Sequence, residues 1–142
     1  MSDYLVNGPV NPELITRQIS FCDEKNDSGG ISVFIGRVRA DKTDSKTVVA
    51  IDYSAYEEMV NSVAASIKED IMLEFSDVRS VKLFHSIGNV KAGEISLFVL
   101  VEAGHRRQAI DACSMTVELI KEKLPVWKRE LYDNDSHEWK LQ

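Results

Sequence analysis

The stretch 104-GHRRQAIDACSMTVELIKEKLPVWKRE-130 decides the fold. Ile110, Cys113, Val117, Ile120 and Leu124 recur at steps of three and four, the period of one helix face. Pro125 ends the pattern, because proline has no amide proton to donate and disfavours helical geometry in the residue before it. The spacing predicts a helix from about His105 to Leu124, with VWKRELY returning as a short strand. Between His105 and Arg129 stand six Lys or Arg (Arg106, Arg107, Lys121, Lys123, Lys128 and Arg129) against three acids (Asp111, Glu118 and Glu122). The whole chain carries a net charge of -6. That balance argues against general nucleic-acid binding and makes a basic island informative. A basic island points to a specific small anion. On charge alone, an ordinary solvated helix face weighs equally.

Upstream, EISLFVLVEAG and RSVKLFHSIG read as strands joined by NVKAG, with Gly88 and Gly93 bracketing a tight connection. Before them, a helix is expected from Glu57 to about Phe75, where Met59, Val63, Ile67, Ile71 and Phe75 repeat at steps of four beside Val60 and Ala64. GGISVFIGRVR predicts a strand with Ile31, Val33 and Ile35 on one face, and TVVAIDYSAY is expected as its antiparallel partner. The ADKTDSKT loop between them is long for a hairpin, and such loops are often mobile or functional. A first helix is expected from Asn11 to about Asp23, capped by Asn11, begun by Pro12, and with Leu14, Ile15, Ile19 and Phe21 on a loose apolar side. The polar tail 133–142 is expected to be weakly ordered unless something docks it. Helices and hairpin-linked strands in this order predict an α+β domain, an antiparallel or mixed sheet covered by helices.

The length of 142 residues suits a single domain, 1–142, with a real core. No apolar run approaches the roughly 20 residues that span a bilayer, and the start does not read as a secretory signal. Cys22 and Cys113 have no partners at metal-ligand spacing, so no metal is expected and Cys113 reads as a buried free thiol. A reducing cytoplasm follows as the default. The GxGxxG and Walker patterns, the GxSxG elbow and HExxH are all missing.

The candidates for chemistry are therefore His105, Arg106, Lys121, Lys128, Arg129 and the pair Arg37 and Arg39, which a strand's period of two sends to one side. Arginine offers an anion a planar fork, and lysine a compact charge. A helix starting at His105 also presents free amide protons there. His105 reads equally well as a cap or packing residue. Lys121 and Lys128 flank Pro125. A lysine near other cations and partly desolvated has its ammonium form disfavoured, which makes it a base or nucleophile. His105 and Lys121 are sixteen residues apart, roughly 24 Å along one helix. Either there are two sites, or one site is built across two copies of the chain.

Nearly the whole chain resembles the large, catalytic subunit of molybdopterin synthase. The resemblance lies in FIGRVR, YSAYEEM, FHSIGNVKAGE, GHRRQAIDA and KEKLPVWKRE. The ordered combination of an HR pair, a lysine sixteen residues on and then PVWKRE is more specific than any one piece. The resemblance implies an α/β hammerhead fold. It implies a sulfurtransferase that converts cyclic pyranopterin monophosphate to molybdopterin by inserting two sulfurs as a dithiolene, in molybdenum cofactor biosynthesis. The sulfur arrives as a C-terminal Gly-Gly thiocarboxylate on a small ubiquitin-like partner, within a heterotetramer around a central homodimer. No cofactor is implied. Carried over by position, Lys121 takes an acid/base or transient covalent role, and Lys128 positions the thiocarboxylate or the substrate. The substrate-binding segments fall on Arg37, Val38 and Arg39, on His105 and Arg106, and on Lys128, Arg129 and Glu130. Arg39, His105 and Arg106 are the expected phosphate ligands, and Glu130 orients its basic neighbours. The chain departs from some members at Ser54, Ser86 and Arg107, which bears on partner affinity and pocket detail more than on the reaction.

Overall fold

A computed structural model of the chain describes residues 2–20 and 26–141. Phe21, Cys22 and Asp23, the expected end of the first helix among them, lie outside the described residues. In chain order the elements are β1 (Leu5–Asn7), α1 (Pro12–Ser20), β2 (Gly30–Arg37), β3 (Lys42–Thr43), β4 (Lys46–Ala55), α2 (Glu57–Glu74), β5 (Val78–Lys91), β6 (Ile95–Ala103), α3 (Arg106–Lys123), β7 (Val126–Tyr132) and β8 (His137–Leu141). This is an α+β fold with a mostly antiparallel sheet, in the order β2-β6-β5-β4-β7-β8. β1 pairs in parallel with β5, and β3 pairs with β4.

Local chemistry explains the helices. The Asn11 side chain accepts the Glu13 amide at 2.8 Å, and Pro12 occupies the first turn of α1. α2 buries Val60, Ala64, Ile67 and Ile71. α3 buries Ala109, Ala112, Cys113, Thr116 and Ile120. The α3 stripe is therefore turned from the expected one, and Ile110 is exposed. Small residues let the helix lie close to the sheet. A Cβ added to Gly30 would stand 3.2 Å from the Arg106 Cα and 3.6 Å from the Ala109 Cβ. Thr116 satisfies its buried hydroxyl by donating to the Ala112 carbonyl at 2.7 Å.

The main core lies between the sheet and the pair α2 and α3. On the other face, α1 sits over a small cluster of Val10, Phe98 and Leu100, and no α1 residue is fully buried.

Several expectations are corrected. The antiparallel partner of β2 is β6, and β4 lies between β5 and β7. β6 is buried almost throughout, so it takes an interior position and β2 the edge. Ile31, Val33 and Ile35 are consequently 37–44% exposed. The 40–47 loop contains the short β3 arm, folded back on β4. Gly93 makes the β5–β6 turn, at φ +92°, but Gly88 lies inside β5 at φ +85°. Beside Gly88, β5 changes partner from β1 to β4. The tail is a strand, β8, paired along β7 with its side chains exposed.

Candidate functional site

One recess of about 480 Å³ gathers the basic residues of three elements. β2 and the turn after it bring Arg37, Val38 and Arg39; α3 brings Lys121; β7 brings Lys128 and Glu130. Phe34, Ile51, Tyr53, Ser96 and Leu97 are among the other walls. Val38 is buried and works as wall and core, not as a polar contact. Its amide donates to the Glu94 carbonyl at 3.0 Å, and its carbonyl accepts the Gly93 amide at 2.7 Å. The β5–β6 turn thus fixes the backbone between the two arginines.

Lys121 still reaches solvent, yet its ammonium is disfavoured and its pKa lowered. Desolvation by the surrounding protein is the main cause and the charge of Lys128 the second, only partly countered by Glu118. Burial pushes the Tyr53 hydroxyl up despite a hydrogen bond with Ser96. Tyr53 packs edge-on against buried His85, with ring centroids 5.0 Å apart. At the rim, Arg39 pairs with Asp41 at 3.3 Å.

Arg129 points elsewhere, as alternation along a strand requires. Its guanidinium binds Asp52 at 2.6 Å and lies over Trp139. The Asp52 carboxyl is held below its ordinary range, first by Arg129 and then by Asn89. Arg129 supports the strand from behind and does not line the recess.

His105 and Arg106 stand at the opposite end of α3 and are not among the residues lining the recess. The His105 amide donates to Asp77 Oδ2 at 2.7 Å, and its ring Nδ1 lies 3.0 Å from the same oxygen. Burial penalises the Asp77 carboxylate, but the hydrogen bonds from His105 and the charges of His105 and Arg79 outweigh this and hold its pKa low. His105 thus occupies the helix cap position, with its side chain 87% exposed.

Tyr53, Ser96 and Asp41 join the recess without having been marked in the sequence. Tyr53 lies two residues after Ile51, the alternation of a strand face, but nothing local tells that this face meets Lys121.

Residues 5–123 match the family model described as MoaE protein. The chain belongs to the MoaE family. Among curated members, the molybdopterin synthase catalytic subunit of Drosophila willistoni is 34% identical over 113 residues, which is 79% of this chain and 30% of that protein. The chain therefore spans under a third of that relative's length. The molybdopterin synthase catalytic subunit of Pyrococcus abyssi is 38% identical over 106 residues, 75% of this chain and 70% of the relative. Among solved structures, molybdopterin synthase from Staphylococcus aureus superposes with a TM-score of 0.84 at 26% identity, covering 96% of this chain and 95% of that one. The MoaE match includes Arg37, Arg39, His105, Arg106 and Lys121, and ends before Lys128.

Proposed function

We propose that this chain is the catalytic subunit of a molybdopterin synthase. It transfers sulfur from the C-terminal thiocarboxylate of a small ubiquitin-like subunit to cyclic pyranopterin monophosphate, forming the dithiolene of molybdopterin. The observation that carries this reading is the convergence of Arg37, Arg39, Lys121 and Lys128 on one recess from three elements. Both reactants are anionic, and the recess offers both arginine forks and lysine point charges. Lys121, whose neutral amine is favoured by its surroundings, acts as acid/base or as a transient nucleophile. Lys128 positions the thiocarboxylate or the substrate. In the cytoplasm, buried Cys113 remains a free thiol, and the sulfur is the partner's.

The site is completed by a second copy, within a heterotetramer. β2 is an edge strand of eight residues, roughly 23 Å long. It runs beside α3 over the same span. Its start, Gly30, packs on Arg106, and its end, Arg37, lines the recess. Antiparallel pairing of two β2 edges about a two-fold axis sets the start of one against the end of the other. His105 and Arg106 of one copy then approach Arg39, Lys121 and Lys128 of the other. Phosphate bound by Arg39, His105 and Arg106 would bridge the two copies.

Product formation with thiocarboxylated partner and precursor tests both parts. Lys121→Ala is expected to lose about a hundredfold or more in rate, and Lys121→Arg to bind without turnover. A charge-preserving variant with normal turnover would reduce the site to simple anion binding. Mixed dimers of His105→Ala and Lys121→Ala chains are expected to regain activity, because one of their two sites is intact. No recovery despite proven subunit exchange would rule out the shared site.

A further inference from the structure

The C-terminal strand brings a further lysine to the edge of the recess. β8 pairs with β7 so that Lys140 lies opposite Lys128, and Glu138 opposite Glu130. Directly opposed residues share a face, so each of these like-charged pairs works against the pairing. The conflict is relieved along the diagonal. Lys140 Nζ lies 2.7 Å from Glu130 Oε1, and the Tyr132 hydroxyl donates to Glu138 Oε2 at 3.1 Å. Glu130 is 7% exposed and lines the recess with Lys128 and Lys121. The ammonium of Lys140 is favoured and its pKa raised, chiefly by the Glu130 carboxylate beside it. The two carboxylates on the recess wall are thus both engaged, Asp41 by Arg39 and Glu130 by Lys140.

A largely buried carboxylate that loses its partner is unfavourable and seeks another. For Glu130 the basic neighbour on the same face of its own strand is Lys128, two residues away. That pairing would fix the Lys128 side chain and turn it from the anion it is placed to meet.

We propose that Lys140 is a positioning residue of this site, whose ammonium occupies Glu130 and so leaves Lys128 free to face the recess. Its effect on turnover rests on the sulfur-transfer reading; its effect on Lys128 does not. Both Lys140 and Lys128 lie beyond the span of the MoaE family match.

The test compares the wild type with Lys140→Met, Lys140→Arg and the double variant Lys140→Met/Glu130→Gln. The first readout is competitive acylation by limiting acetic anhydride, measured at Lys128 by peptide mass. Lys128 is expected to react about two- to fivefold more slowly in Lys140→Met, the range of a single solvent-accessible ion pair. Lys140→Arg is expected to match the wild type. The double variant is expected to recover, because no carboxylate remains to capture Lys128. The second readout is the pH–rate profile of sulfur transfer, expected to move to higher pH in Lys140→Met and to return in Lys140→Arg. Unchanged acylation and an unchanged profile in Lys140→Met would overturn the proposal. So would a double variant as slow as Lys140→Met, since the loss would then come from a displaced strand. A wild type that shows no sulfur transfer, with the acylation pattern as expected, would remove the proposed reaction and leave the role of Lys140 standing.

Discussion

Lys121 is the residue at which local chemistry is most exposed to test. Its ammonium is disfavoured first by desolvation and second by Lys128, so Lys128→Gln removes the second cause alone. The pKa of Lys121 then moves back up toward the ordinary lysine value. The rising limb of the pH–rate profile is expected at higher pH, beyond any fall in rate from losing Lys128 itself. Stability carries the same sign through a different readout. Because the folded pKa of Lys121 lies below the unfolded one, the unfolded chain holds the proton more tightly. The charged lysine therefore weakens the fold at neutral pH, and the penalty fades as pH rises through the folded pKa to the unfolded one. Lys121→Met is expected to raise the Tm at neutral pH, with the gain shrinking toward alkaline pH in thermal melts. That Lys121 and Lys128 share one recess was legible in the sequence, because Pro125 places them on separate elements that meet at a corner. Strand alternation sets Arg129 on the face opposite to Lys128, and it faces Asp52 and Trp139; its place among the substrate-binding residues came only from the family resemblance. His105 was legible as a helix start, but its partner Asp77 lies 28 residues earlier, at a distance that no local pattern links.

At the scale of elements, α3 and β2 form the frame of the site. The packing of the start of α3 on the start of β2 depends on Gly30, where an added Cβ would stand 3.2 Å from a backbone carbon of α3. Backbone cannot swing aside as a long side chain can. Gly30→Ala is therefore expected to lower stability by about 1–3 kcal/mol, the range for overpacking, in denaturant titration. The direction of α3 and its end at Leu124 followed from periodicity and Pro125. Its face did not, because the buried side is made of Ala109, Ala112 and Thr116. These small residues add little to an apolar count, while exposed Ile110 adds much. The pairing of β2 failed for a related reason. Strands next to each other in sequence often pair, but β6 has the longer buried run and lies between β2 and β5. The 46–55 strand instead reached β7, as its register from Ala55 with Val126 to Val48 with Tyr132 records. That ladder sets Tyr53 opposite Lys128.

At the scale of the whole molecule, the sheet presents β2 and β8 as its two outer strands, and they differ in character. β2 exposes Ile31, Val33, Phe34 and Ile35, an apolar edge of the kind that pairs with another chain. If two copies pair through β2 as proposed, Ile31→Lys/Val33→Lys is expected to give a monomer in sedimentation velocity where the wild type gives a dimer, and to abolish the complementation between mixed chains. A dimer that survives both charges would place the interface elsewhere. The order of helices and strands had announced a fold of this class, and the motifs had announced both ends of α3. The tail docks on β7, and the sequence could not say where because β8 buries no side chain: it is held by backbone hydrogen bonds and the Lys140–Glu130 pair, which leave no hydrophobic pattern to read. The opposite side of the sheet carries a different consequence. α1 covers only the cluster of Val10, Phe98 and Leu100, and contributes no buried residue of its own. It can lift away while the core under α2 and α3 stays closed, so a protease should cut first on that side. The fragment left behind should keep its recess, with the machinery on the slow-opening half of the molecule and the first helix on the fast one.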